Sequence, residues 1–162
     1  LPRLDGMFAF AFWNARTREL LLARDRFGIK PLFYALRDGE LVFASDARAV
    51  RLHPRVSGEL DPASVAACFA LGHVPAPASI CRDVRKLPPG HFLLFGPEGR
   101  PRLAPFGALP APDAESPPPA ECAAIIRNHL RLAVRRQLRA EVPVGLLLSG
   151  GLDSSSLAVL AA

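Results

Sequence analysis

Lysine is almost absent from this chain of 162 residues: only Lys30 and Lys86 occur, and arginine supplies the rest of the 20 basic side chains. Fifteen of the basic residues precede residue 107, scattered among ten acids. That is the pattern of a solvated basic surface rather than a nucleic-acid-binding stripe, so no nucleic-acid partner is expected. Long apolar runs are also missing, and the N-terminus has no signal-peptide core, so no membrane partner is indicated and the location reads as cytoplasmic. Cysteine is scarce and unpaired: Cys68, Cys81 and Cys122 are odd in number, far apart and without a CxxC spacing. Neither a disulfide framework nor a cysteine metal site is supported, which leaves buried free thiols. His53, His73, His91 and His129 likewise lack metal-site spacing. The glycine motifs GxxxxGK[ST] and GxGxxG and the nucleophile elbow are absent too, which excludes the commonest nucleotide and hydrolase signatures.

Half of the residues are apolar, enough for a real core. Residues 7–13 alternate large and small apolar side chains, as in a strand covered on both faces, and Glu19–Arg24 reads as its partner. Segments 32–36 and 40–44 flank Asp38-Gly39, a strong hairpin signal. Segments 46–52 and 61–71 read as helices, the second with Asp61 as N-cap and Pro62 in the first turn. Segments 91–95 and 102–106 flank a second turn, Gly96-Pro97-Glu98-Gly99. Within this strand-rich half, Arg24, Asp25 and Arg26 allow two readings, a catalytic cluster or a structural ion pair that fixes the turn at Gly28.

Six prolines between residues 105 and 119 mark a linker. A helix is expected from Pro119 to Glu141, with Ile126, Leu130, Ala133, Val134 and Leu138 as its apolar stripe. Arg127, Arg131, Arg135 and Arg139 recur at every fourth position and read as a solvated face, with an anion-binding ladder as the alternative. The apolar run Val144–Leu148 then reads as a buried strand leading into Ser149-Gly150-Gly151-Leu152-Asp153-Ser154-Ser155 and a helix.

Strand, glycine turn and helix N-terminus together make an anion site. Free N–H groups and the positive end of the helix dipole meet the ligand, and glycine lets the backbone approach it. Ser149, Ser154 and Ser155 add hydroxyl donors. Asp153 would repel phosphate unless a divalent cation lay between them, so the segment reads as a polyphosphate-plus-magnesium site with Asp153 as the metal ligand. The plainer alternatives are a tight turn at Gly150-Gly151 and a helix N-cap at Asp153 or Ser154.

The run Leu147–Ser155 resembles the pyrophosphate-binding loop of glutamine-dependent asparagine synthetases, and Val142-Pro143 before it also fits. Upstream, Leu4–Ala11, Arg24–Leu32 and Leu87-Pro88-Pro89-Gly90-His91 are similar to signatures of the same family's glutaminase domain. Phe43-Ala44-Ser45-Asp46 resembles another, with Asp46 where the family usually has Glu. Order and spacing agree over nearly the whole chain.

The resemblance implies an α+β region followed by an α/β one. Residues 1–106 would be the C-terminal half of an αββα N-terminal-nucleophile-type glutaminase domain and 107–118 a linker. Residues 119–162 would open a doubly wound ATP-pyrophosphatase-type synthetase domain. It implies ATP and Mg²⁺ as cofactors and glutamine, aspartate and ATP as small-molecule partners, with a homodimer of the full-length protein left open. Ser149, Gly150, Gly151, Ser154 and Ser155 would bind pyrophosphate, Asp153 would hold Mg²⁺, and the Leu147 backbone would meet the adenine side. The family's glutaminase nucleophile is an N-terminal cysteine; residue 1 is Leu and the three cysteines are internal. The chain therefore reads as an internal fragment with no catalytic residue of its own. A relative that makes another amide or a lactam, or a degenerate copy, would share these motifs.

Overall fold

The computed structural model describes residues 1–107 and 117–162, so most of the proline-rich stretch lies outside the described residues. The chain divides into two compact units, Leu1–Leu109 and Pro110–Ala162.

The first unit holds two antiparallel sheets. β1 (Ala9–Asn14) pairs with β2 (Glu19–Arg24) from Ala9 opposite Arg24 to Asn14 opposite Glu19. Asn14 closes their turn by accepting the Arg16 N–H at 3.1 Å, an Asx turn that lets Arg18 take φ 55°. β6 (His91–Phe95) pairs with β2, and β7 (Pro101–Pro105) pairs with β6, giving the order β1-β2-β6-β7. The other sheet has three strands, the middle one paired with both others. Its hairpin joins β3 (Phe33–Arg37) to β4 (Glu40–Ala44) through Asp38 at φ 49° and Gly39 at φ 77°. Two successive left-handed residues match the right-handed strand twist, which is why Asp-Gly marks this turn. β5 is only Arg85–Lys86, placed against Phe33 and Tyr34.

Two apolar clusters form the core of this unit. Leu22, Leu32, Tyr34, Leu87 and Leu93 make one, and Ala35, Val50, Val56, Cys81 and Val84 the other. Leu22, Leu87 and Leu93 are 0–1% exposed, and burying each contributes about 2 kcal/mol. Two short helices are capped by aspartates, the second of them as expected. Asp46 starts α1 (Ala47–Arg51) by accepting the Arg48 N–H at 2.8 Å. Asp61 starts α2 (Pro62–Leu71) by accepting the Ser64 N–H at 3.1 Å, and Gly72 ends it at φ 72°. The shorter carboxylate of Asp46, in place of the family's Glu, suits this cap, because a Glu side chain is poorly placed to reach its own helix's first N–H groups.

β1 departs from the expected cover on both faces. Phe12 and Trp13, which point to opposite faces of the sheet, are 59% and 55% exposed, and β1 is also an outer strand of its sheet.

The second unit contains α3 (Pro119–Gln137) and α4 (Leu152–Ala161). α3 stops four residues short of the expected Glu141, with Leu138 as its C-cap. Val144–Leu148 forms no strand and is not buried: Leu147 is 96% and Leu148 62% exposed. A parallel strand exists only by pairing with neighbours, and no second strand stands among the described residues of this unit.

Candidate functional site

The loop between the extended segment and α4 is built by its own short contacts. Gly150 sits at φ 79°, a conformation glycine adopts without strain. A Cβ there would meet nothing within 4 Å, so the need for glycine is backbone conformation rather than space. Gly151 is the N-cap of α4 and receives no side-chain cap. That removes the plainer reading of Asp153 or Ser154 as the cap. The first ladder bond of the helix runs from the Ser155 N–H to the Gly151 carbonyl at 3.0 Å, so the N–H groups of Leu152, Asp153 and Ser154 lie ahead of the ladder. The hydroxyls of Ser149 and Ser154 are 3.0 Å apart, and Ser154 also donates to the Gly151 carbonyl at 3.2 Å. The structure thus gathers Ser149, Gly150, Gly151, Ser154 and Ser155 around one helix N-terminus. A phosphate group fits this donor set, because backbone N–H groups, hydroxyls and the dipole all favour negative charge there.

Asp153 lies in the first turn of α4. Among the described residues, no group of three or more His, Cys, Asp or Glu side chains is placed to hold a metal ion. One carboxylate alone does not retain Mg²⁺, which takes near-octahedral oxygen coordination; phosphate oxygens and waters would have to complete the shell. Leu147 precedes the loop with its side chain in solvent.

The arginine repeat of α3 is exposed, as a solvated face requires. Arg127, Arg131 and Arg135 share a groove of about 760 Å³ with Ile126 and Leu130 of α3 and with Ser155 and Ser156 of α4. Sequence spacing showed the repeat but not that α4 lies beside it.

In the first unit, Asp25 is 1% exposed, and its carboxylate accepts the N–H groups of Phe27 at 3.1 Å, Ile29 at 3.0 Å and Lys30 at 2.9 Å. Burial pushes its carboxyl up, but the bonds from Lys30, Ile29, Phe27 and Phe8 outweigh this and hold it below the usual carboxylate range. Arg24 donates instead to carbonyls: Lys30 at 2.8 Å, Leu87 at 2.7 Å and Gly28 at 2.6 Å. Burial lowers the Arg24 pKa, partly offset by the neighbouring Asp25 charge. The expected ion pair is therefore a backbone cage in which the two side chains saturate opposite polar groups of one turn.

The chain thus joins a unit of two antiparallel sheets with short helices to a unit whose glycine turn opens a helix. The chain belongs to the glutamine amidotransferase domain family, whose model matches residues 1–104; a second family model, described as asparagine synthase, matches residues 125–162. The resemblance to glutamine-dependent asparagine synthetases is borne out. The chain is similar to asparagine synthetase [glutamine-hydrolyzing] 3 of Bacillus subtilis, at 34% identity over all of this chain and 26% of that protein. It is 37% identical to a putative asparagine synthetase [glutamine-hydrolyzing] of Mycobacterium tuberculosis, over 99% of this chain and 26% of that protein. It is also 32% identical to amidase chyE of Penicillium rubens, over 100% of this chain and 24% of that protein. The chain thus spans about a quarter of the length of the curated relatives it matches.

Proposed function

We propose that this chain is part of an ATP-dependent, glutamine-hydrolysing asparagine synthase. The first unit is then the later half of an αββα glutaminase domain, 1–106. The second, 119–162, opens a doubly wound ATP-pyrophosphatase-type domain whose sheet neighbours lie elsewhere in the protein. The observation that carries this reading is the pairing of an amidotransferase-type unit with the loop Ser149–Ser155 at the N-terminus of α4. Relatives named for both steps, glutamine hydrolysis and asparagine synthesis, support it.

In this reading ATP, as substrate, supplies the activation of a carboxylate with pyrophosphate as leaving group. The chain's own residues hold that leaving group. The N–H groups at the start of α4 and the Ser149, Ser154 and Ser155 hydroxyls orient it and neutralise charge that grows as the bond breaks. Gly150 and Gly151 permit the close approach. Asp153 would hold Mg²⁺ together with phosphate oxygens, and the Leu147 backbone would border the nucleotide. Asp25 and Arg24 shape the amidotransferase turn and take no part in bond making. A cytoplasmic location and a homodimer belong to the same reading.

The test is Asp153→Asn in the full-length protein. Amide formation from aspartate, with glutamine or with ammonia as donor, should be lost, and glutamine hydrolysis should persist. Near wild-type amide formation at saturating ATP would sink the assignment. The amidase-named relative favours a second reading, an amide- or lactam-forming enzyme with another carboxylate substrate. Pyrophosphate release that depends on a carboxylate other than aspartate would select it.

A further inference from the structure

The sheet β4-β3-β5 carries a cleft of about 300 Å³ that neither the amidotransferase turn nor the phosphate loop uses. Tyr34 and Arg37 of β3, Arg85 of β5, and Arg82 and Asp83 just before it line the cleft. Tyr34 and Arg85 are directly opposite in the antiparallel register, so their side chains share one face.

The polar groups of this cleft are unevenly satisfied. Asp83 is committed: Arg37 engages both of its oxygens, with Nε 3.0 Å from Oδ2, and the Ser57 N–H donates at 2.9 Å. Arg82 reaches the Glu59 carboxylate at 2.8 Å, but both side chains are largely exposed and such a pair is weak. The Arg85 guanidinium has no hydrogen-bond or ion-pair partner among the described residues. The Tyr34 ring is in the core at 8% exposure, and its hydroxyl also has no partner among the described residues. No fully sealed side-chain polar atom is left unpaired, so the hydroxyl opens outward, and the cleft is where Tyr34 meets solvent. Arg85 lies close enough to favour the ionised phenol, while burial acts more strongly the other way.

We propose that Arg85, Arg82 and the Tyr34 hydroxyl form a binding site for a small oxyanion, a phosphate or carboxylate group. The three guanidinium groups are met by two carboxylates, Asp83 and Glu59, so the cleft keeps one net positive charge, that of Arg85. A guanidinium fork matches the oxygens of either anion, and a phenol at its side adds a neutral donor that fixes orientation. The rigid β3–β5 pairing and the buried ring hold the Tyr34 donor in place before the ligand arrives, which lowers the ordering cost.

The experiment uses the full-length protein labelled with 3-fluorotyrosine, the Tyr34 signal being assigned by its loss in Tyr34→Phe. Inorganic phosphate and acetate are titrated separately while the Tyr34 fluorine resonance is followed. This local readout is blind to phosphate bound at the Ser149–Ser155 loop. A saturable shift with phosphate assigns a phosphate group, and one with acetate a carboxylate; either supports the site. In Arg85→Gln, an exposed substitution that leaves the core intact, the half-saturating concentration should rise about tenfold. No saturable shift with either anion would overturn the proposal. So would a shift whose midpoint is unchanged in both Arg85→Gln and Arg82→Gln.

Discussion

Arg24 and Asp25 are neighbours in the chain, yet they bind opposite polarities of the same turn. The Asp25 carboxylate takes three N–H groups, from Phe27, Ile29 and Lys30, and the Arg24 guanidinium takes the carbonyls of Gly28, Lys30 and Leu87. Adjacent residues can do this because side chains leave a strand end in opposite directions. Asp25→Asn keeps the shape but turns one acceptor oxygen into a donor facing buried N–H groups. It should destabilise the first unit by about 1–3 kcal/mol, read by denaturant titration. The cost should depend on pH. The folded carboxyl is held below its ordinary value of about 3.9, so its stabilisation is complete above that value and is lost as pH falls through the folded one. The gap between wild type and Asp25→Asn should therefore narrow below about pH 4. A constant gap from pH 7 to pH 3 would show that the ionised carboxylate is not what holds the turn.

Gly28 and Gly39 separate two reasons for glycine. Both have positive φ, 66° and 77°. A Cβ on Gly28 would stand 2.8 Å from Pro89 Cγ and 3.0 Å from Arg24 Cζ, whereas on Gly39 it would meet nothing within 4 Å. Gly39→Ala should cost only backbone strain, about 1–2 kcal/mol. Gly28→Ala adds a clash with the cage and should cost at least about 1 kcal/mol more. Equal losses in thermal or urea unfolding would mean that the cage yields without resistance.

Local signals were legible and pairing was not. Asp38-Gly39 and Asp61-Pro62 declare their turn and cap, because each acts within a few residues. β5 left no trace: two residues have no period, and Arg85–Lys86 is a strand only because β3 lies beside it. The apolar run Val144–Leu148 shows the converse, a strand-like composition without a partner. The loop Ser149–Ser155 was readable because its chemistry is contiguous. The Tyr34–Arg85 cleft was not, since its members are brought together by register alone. For Arg24 and Asp25, sequence adjacency suggested an ion pair, whereas the carboxylate and guanidinium each found stronger use on the backbone.

If the loop Ser149–Ser155 holds pyrophosphate as proposed, Gly150→Val should impair amide synthesis more than Ser154→Ala. A β-branched residue at φ 79° is strained and would move the N–H groups of the following turn. Ser154→Ala removes one hydroxyl contact, 3.0 Å from Ser149, and leaves the backbone in place. Expected losses in the full-length protein are about a hundredfold or more in kcat/KM for Gly150→Val and about tenfold for Ser154→Ala. Glutamine hydrolysis measured alongside should stay within about twofold for both, since neither residue lies in the first unit. Reversal of the order would place the binding energy in the hydroxyls rather than in the backbone.

The two edges of the four-stranded sheet differ in how they resist further pairing. β7 carries Pro101 and Pro105 at its ends and Arg102 between them, residues that block or discourage an added strand. β1, Ala9–Asn14, has no proline and no charge, and exposes Phe12 and Trp13. Nothing on β1 opposes edge-to-edge association, and its unpaired backbone groups offer a template for it. The 162-residue chain should therefore self-associate at micromolar concentration, seen as concentration-dependent sedimentation. Association at this edge would also shield the chain's single tryptophan, Trp13, so its fluorescence should become harder to quench with acrylamide as concentration rises. Phe12→Lys places a charge on the edge without touching the core and should restore a monomer, with quenching independent of concentration. A Phe12→Lys chain that associates as strongly as the parent would move the sticky surface away from β1, toward the exposed apolar residues of the second unit such as Leu147 and Leu148.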